Sequence, residues 1–253
     1  MAAVAGWVAL VAMAVTQVAS SQAGHLEILV TLIVAALAVA SVSFTGVSWG
    51  WPRAVCAAAA AFGLGLAAEW AGTRTGFPFG AYRYTGLLRP AAASVPLVVP
   101  LAWAAMGLPG YAVGATVART RAGRIAAGAV ALTAWDLFLD PQMIRNGFWR
   151  WTHPGPYQGV PLSNFAGWLL VSAALMAVFD GLLRSQSRQL TPPHPGLLAA
   201  YTVMAVMETV GFAVIFPHGR AIALAGALGM DVPAALAWAR RARSQPGERG
   251  AHE

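Results

Sequence analysis

Residues 124–145, RIAAGAVALTAWDLFLDPQMIR, are the stretch whose reading decides the fold. Arginine closes each end, and the run between is almost wholly apolar, yet it carries Asp136 and Asp140. About 20 predominantly apolar residues suffice for a helix to cross the hydrocarbon core of a bilayer. A charged side chain at mid-bilayer costs roughly 2.5–3.5 kcal/mol on insertion scales. Two aspartates spaced i, i+4 share one helical face, so this cost is concentrated on one stripe of the helix.

The rest of the chain has the same character. Hydrophobic residues make up 58% and charged residues 10% of the 253, and mean hydropathy is +0.63. A soluble domain carries about 25% charged residues, so the composition is that of an integral membrane protein. Apolar runs long enough to span fall near 2–19, 26–48, 54–72, 95–118, 124–145, 164–183, 196–216 and 219–239. The expected fold is all-α: a polytopic transmembrane bundle over 1–240, with 241–253 as a basic cytoplasmic tail. Asp231 and Pro233 interrupt the last run, and Asp231 could cap a short interfacial helix there, so seven or eight spans fit. The start of the chain lacks a positively charged n-region and reads as a retained first helix, not a cleaved signal.

All sixteen basic residues are arginine. Without lysine there is no Schiff-base chemistry, which excludes a retinal protein. The net charge of +7 does not point to nucleic acid, because the arginines sit at the ends of apolar runs instead of on one face. Arg53, then Arg119, Arg121 and Arg124, then Arg184 and Arg188, then Arg240, Arg241 and Arg243 all fall on one side of an eight-span chain. The positive-inside rule makes that side cytoplasmic, with both termini on it and the protein in the cell membrane. Cys56 is the single cysteine and reads as a small buried side chain. His25, His153, His194 and His218 show no metal-binding spacing, so a histidine metal site is not expected.

This topology sets two longer loops, 73–94 and 146–163, on the opposite side. It also puts Glu69, Asp136, Asp140 and Glu208 at similar depth beneath them. A convergent polar site near one surface is the expectation. Arg74 and Arg145 are close enough in sequence to pair with Glu69 and Asp140 as structural glue. Glu208, between Met204 and Phe212, has an apolar setting that favours a neutral, proton-donating acid. Asp180 reads as an interfacial residue. The loops alternate turn residues with aromatics, so Phe79, Tyr82, Tyr84, Trp149 and Trp151 read either as an interfacial belt or as a lid. Trp70, Trp103, Trp135 and Trp168 lie in or at the ends of spans, positioned to line a cavity. Ser163 and Asn164 are placed to cap span six, and Asn164 equally to position water. Pro96, Pro100 and Pro109 are kinks that can open a cavity in span four.

Several segments together resemble the integral-membrane carotenoid 1′,2′-hydratase family, which includes γ-carotene and bisanhydrobacterioruberin hydratases. They are Glu69 with Gly76-x-Pro78-Phe79-Gly80-x-Tyr82-x-Tyr84; Val95-Pro96-Leu97 with Pro100-Leu101-x-Trp103-x-x-Met106; and Trp135-Asp136-x-x-x-Asp140-Pro141-x-Met143. Trp149-x-Trp151 and Tyr157-x-Gly159-Val160-Pro161-x-Ser163-Asn164-Phe165-x-Gly167-Trp168 complete the set. The likeness covers about residues 64–168. It implies addition of water to the terminal isoprenoid double bond of an acyclic carotenoid, giving a tertiary alcohol. Carotenoid and water are then the substrates, the bilayer is the surroundings, and other enzymes of carotenoid biosynthesis are possible partners.

Chemistry assigns the roles. Alkene hydration needs a proton donor on one face and a held water on the other, and the reaction that the resemblance implies demands no metal or redox cofactor. Asp136 and Asp140 form the expected central pair, with Glu69 and Glu208 as the other acid–base candidates. Three alternatives stay open: a polyprenyl transferase using Asp136-x-x-x-Asp140 for magnesium diphosphate, a membrane lycopene cyclase, and a non-catalytic carotenoid-binding protein.

Overall fold

Eight helices are long and apolar enough to cross a membrane in the computed structural model, which describes residues 1–20, 25–183, 191–217 and 219–244. They are α1 (Ala2–Ser20), α2 (Leu26–Trp49), α3 (Trp51–Thr75), α4 (Val98–Val117), α5 (Arg121–Arg145), α6 (Leu162–Leu183), α7 (Pro195–Ile215) and α8 (Arg220–Arg243). The chain is therefore a multi-pass membrane protein with an all-α fold. Arg184, Arg188, His218 and residues 245–253 lie outside the described residues.

Helix α4 is the hub, packing against α2, α3, α5, α6, α7 and α8. Its sequence explains this position, because small residues let neighbouring backbones approach where lipid offers no hydrophobic drive. Gly114 is the tightest case. A Cβ there would sit 2.4 Å from the Arg124 carbonyl oxygen and 2.6 Å from the Gly128 nitrogen of α5.

Two prolines interrupt buried helices, and each freed carbonyl finds a hydroxyl. Proline has no N–H, so the carbonyl four residues earlier loses its helical partner. Pro109 in α4 frees Ala105, whose oxygen accepts from Ser41 Oγ of α2 at 2.7 Å. Pro141 in α5 frees Leu137, whose oxygen accepts from the Tyr157 hydroxyl at 3.0 Å. Burial pushes the Tyr157 phenol up to about 12, so it remains a donor.

Helix α8 does not break at Asp231. It widens into a π-helical turn over Ala227–Asp231 and continues to Arg243. Asp231 caps nothing; its Oδ2 accepts from Thr209 Oγ1 of α7 at 3.0 Å. Cys56 is exposed on α3, not buried as expected. Asp180 lies near the end of α6. It is buried and paired with buried Arg124 at 2.8 Å and with Arg121 at 3.4 Å.

The two long loops form short strands. β1 (Tyr82–Tyr84) pairs antiparallel with β4 (Trp149–Trp151), while β2 (Ala91–Ala92) and β3 (Val95–Pro96) make a small hairpin. Successive strand residues face opposite ways. Tyr82, Trp149 and Trp151 are accordingly buried, whereas Arg83 and Arg150, paired across the strands, are exposed. The β1–β4 ribbon lies where α3, α5 and α6 end or begin. Gly167 of α6 seats the first loop, since a Cβ there would come within 2.4 Å of the Pro78 carbonyl oxygen.

Candidate active site

Three of the four candidate acids converge beneath the β1–β4 ribbon. Glu69, near the end of α3, accepts at Oε2 from the Tyr82 hydroxyl and from the Tyr84 hydroxyl at 2.6 Å. Its Oε1 accepts from Trp103 Nε1 at 3.2 Å. Burial is the main force pushing both phenols well above the ordinary tyrosine range, reinforced by the charge of Glu69. Both hydroxyls therefore stay protonated and serve as donors.

The aspartates of α5 share one partner. Asn164 Nδ2 donates to Asp136 Oδ2 at 2.6 Å and to Asp140 Oδ2 at 2.5 Å. Asp140 Oδ1 accepts from Trp149 Nε1 at 3.0 Å. Asp136 Oδ1 is buried without a partner among the described residues, as is the neighbouring Trp135 Nε1. Asn164 does not cap α6: it lies inside the helix, 1% exposed, with its amide spent on the two carboxyl groups.

A cavity of about 30 Å³ lies between Glu69 and Asp140. One water occupies about 10–15 Å³ on that measure, so one or two would fit. Aromatic rings surround it: Phe79, Tyr82, Tyr84, Trp103, Trp149, Trp151 and Trp168. Trp103 and Trp168 stack at 4.2 Å between centroids, and Trp135 meets Trp168 edge-on at 6.3 Å. Asp136 stands behind this cavity instead of lining it.

The cavity adjoins an apolar groove of about 80 Å³, with Val99, Ala102, Leu139 and Trp149 common to both walls. Trp135 lines this groove and not the smaller cavity. At its other end stands Glu208, whose Oε1 accepts from Gln17 Nε2 at 3.1 Å. Both residues also border a third space, of about 430 Å³, walled by Val206, Val210 and Ile215 of α7. Those three side chains are exposed on the helix face. Glu208 is thus set apart from the other three acids, along the groove from the aromatic cavity.

No arginine pairs with these acids among the described residues. Arg74 lies over the Trp70 ring at 4.7 Å, and Arg145 bonds the Pro217 carbonyl and lies over Phe216. Trp70 itself is 44% exposed and lines none of these spaces, which corrects its expected place in the pocket. Gln17 escaped the sequence reading because its partner is 191 residues away. Its only signal is being a polar side chain within an apolar run. Val99, Ala102 and Leu139 gave no signal beyond apolarity.

The sequence profile of the family described as "Carotenoid biosynthesis protein" matches residues 23–232. The chain belongs to that family. A curated relative, the bisanhydrobacterioruberin hydratase of Haloarcula japonica, is 33% identical over 117 residues, covering 44% of this chain and 40% of the relative. The similarity thus spans less than half of either protein. No solved structure matches the chain. Membership in the family places the protein in carotenoid biosynthesis.

Proposed function

We propose that the protein is a carotenoid hydratase that adds water across the terminal isoprenoid double bond of an acyclic end group. The observation that carries this reading is the water-sized, aromatic-walled cavity with Glu69 on one side and Asp140 on the other. Asp140 donates its proton to the alkene carbon nearer the chain, and the π electrons form the new C–H bond. The tertiary cation that results lies among aromatic faces, which attract it by cation–π interaction. Water held against Glu69 then attacks the cation, and Glu69 takes the surplus proton. Return of that proton to Asp140 closes the cycle; one water is consumed and nothing is oxidised or reduced.

The hydrogen bonds suit these roles. Glu69, with three donors on its two oxygens, is built as an acceptor. Asn164, on the cavity wall, holds Asp140 together with Asp136 behind it, and both are positioning residues. The apolar groove takes the polyene, and the space beside the exposed face of α7 is its lateral access from the bilayer. Glu208 and Gln17 then stand along the path, not at the reacting carbon. A lycopene cyclase would use the same protonation and would also need a base, to take a proton from its ring cation, but it has no need of a water-sized space. A polyprenyl transferase requires cationic or metal-bound diphosphate contacts, whereas here the aspartates face an amide and an indole.

Expression in a lycopene-producing bacterium tests the reading. The pigment should gain the mass of one water per reacted end, carrying heavy oxygen when grown in H₂¹⁸O. A product of unchanged mass, or a prenylated one, from well-inserted protein on both lycopene and longer acyclic carotenoids overturns it.

A further inference from the structure

At the other end of the bundle, a cavity of about 180 Å³ lies among the ends of α2, α4, α5, α6 and α8. Arg124 and Arg241 both line it, with Thr116, Thr191 and Ser244 beside them. Arg124 is 2% exposed. Its Nε donates to Asp180 Oδ1 and its Nη1 to the Arg119 carbonyl, each at 2.8 Å. Its Nη2 is buried with no partner among the described residues. Arg241 Nη1 donates to the Pro193 carbonyl at 2.8 Å, which anchors a second guanidinium on the cavity wall.

Among the described residues, charge is unbalanced at this end. Asp180, the acid that pairs with these arginines, is shared between Arg121 and Arg124. With Arg241, three guanidinium groups stand against that carboxylate. A buried donor without a partner costs about 1–3 kcal/mol, and more when it is charged. A cavity beside such a donor is where a ligand would remove the cost. Guanidinium pairs with phosphate through parallel, charge-assisted bonds, and basic pockets between spans on the arginine-rich side suit anionic lipid headgroups.

We propose that this cavity is a binding site for a phosphate-bearing anion, held by Arg124 Nη2 and Arg241. The phosphate is either that of an anionic lipid headgroup or free in solution. The site stands on this geometry alone and does not depend on the hydratase reading.

Full-length protein would be reconstituted in phosphatidylcholine vesicles, with and without phosphatidylglycerol, and its thermal midpoint measured. In parallel, inorganic phosphate would be titrated into the phosphatidylcholine sample. A rise with phosphatidylglycerol assigns the site to a lipid; a rise with inorganic phosphate alone assigns it to a free anion. Either rise should need at least about tenfold more ligand in Arg241→Gln, which leaves the Arg124–Asp180 pair intact. Arg83→Gln, on the β1–β4 ribbon, should behave as wild type. If Arg241→Gln does not insert, native mass spectrometry of the wild type and of Arg241→Lys gives the second readout. One phosphatidylglycerol per chain should be retained by the wild type and released more readily by the lysine variant. Equal midpoints in all conditions with no retained lipid, or a rise that Arg241→Gln preserves, would falsify the site.

Discussion

Asn164 spends both amide hydrogens on carboxyl oxygens of Asp136 and Asp140, so its removal takes away the amide donor that the two buried acids share. A hydrogen bond to a charged group contributes about 1.5–3 kcal/mol, and 1.4 kcal/mol is tenfold in rate. Asn164→Leu should therefore lower hydration about 10- to 100-fold in a lycopene-fed membrane assay. Asp140→Asn, lacking the transferable proton, should lose about 10²–10⁴-fold, while Glu208→Gln should keep the chemical step and change uptake of long substrates. Equal losses in Asp140→Asn and Glu208→Gln would contradict the separation of roles. Glu69, Asp136 and Asp140 were legible because acids stand out in lipid-spanning sequence. Trp70 misled because it lies near the end of a span, yet it is turned about 100° around the helix from Glu69, which carries it away from the cavity. The burial of Asp180 was hidden because Arg124, its partner, is 56 residues away on another span.

Elements hold each other through backbone groups that proline and glycine leave open. Ser41 supplies the hydrogen bond that Pro109 denies to Ala105, so Ser41→Ala should leave a buried carbonyl unpaired and cost about 1–3 kcal/mol. Pro109→Ala restores an N–H four residues on. A double-mutant cycle read by thermal midpoint should show the loss from Ser41→Ala shrinking in the Pro109→Ala background; additive effects would refute the pairing. Helix α7 offers a pH test at its first turn. His194 Nδ1 accepts from the Gly196 backbone N–H at 3.0 Å, a role only the neutral ring can fill. Burial, then the charge of Arg241, lowers its pKa below the ordinary 6.5. The unfolded chain therefore takes up the proton first. Stability from this cap is full above 6.5 and falls as pH drops through that value towards the lower folded one. In His194→Asn this part of the pH dependence should vanish from a thermal-midpoint titration. Spans were readable from hydropathy to within a few residues at most ends. The ribbon was not, although Tyr82-Arg83-Tyr84 and Trp149-Arg150-Trp151 each alternate with period two. Three-residue strands are too short for periodicity to reveal, and their partners lie two helices apart in the chain.

At the scale of the whole molecule, the acid cavity and its aromatic lid occupy one end of the bundle and the Arg124–Asp180 pair the other. The arginine-rich connection at 119–124 lies at the second end, and from the positive-inside rule we propose that the lid faces outward. Water for the proposed reaction then arrives from that side, and the polyene from the bilayer. Cys56, exposed on α3, must first be replaced, for example by Ala. Single cysteines at Arg83 and Arg150, exposed on the ribbon, should then react with a membrane-impermeant maleimide in intact cells. A cysteine at Ser244, exposed beside the basic end of α8, should react only after permeabilisation. The opposite labelling pattern would invert the protein in its membrane. The water-sized space between Glu69 and Asp140 would then face the cytoplasm, and the arginine-lined cavity the outer leaflet, where anionic headgroups are scarce.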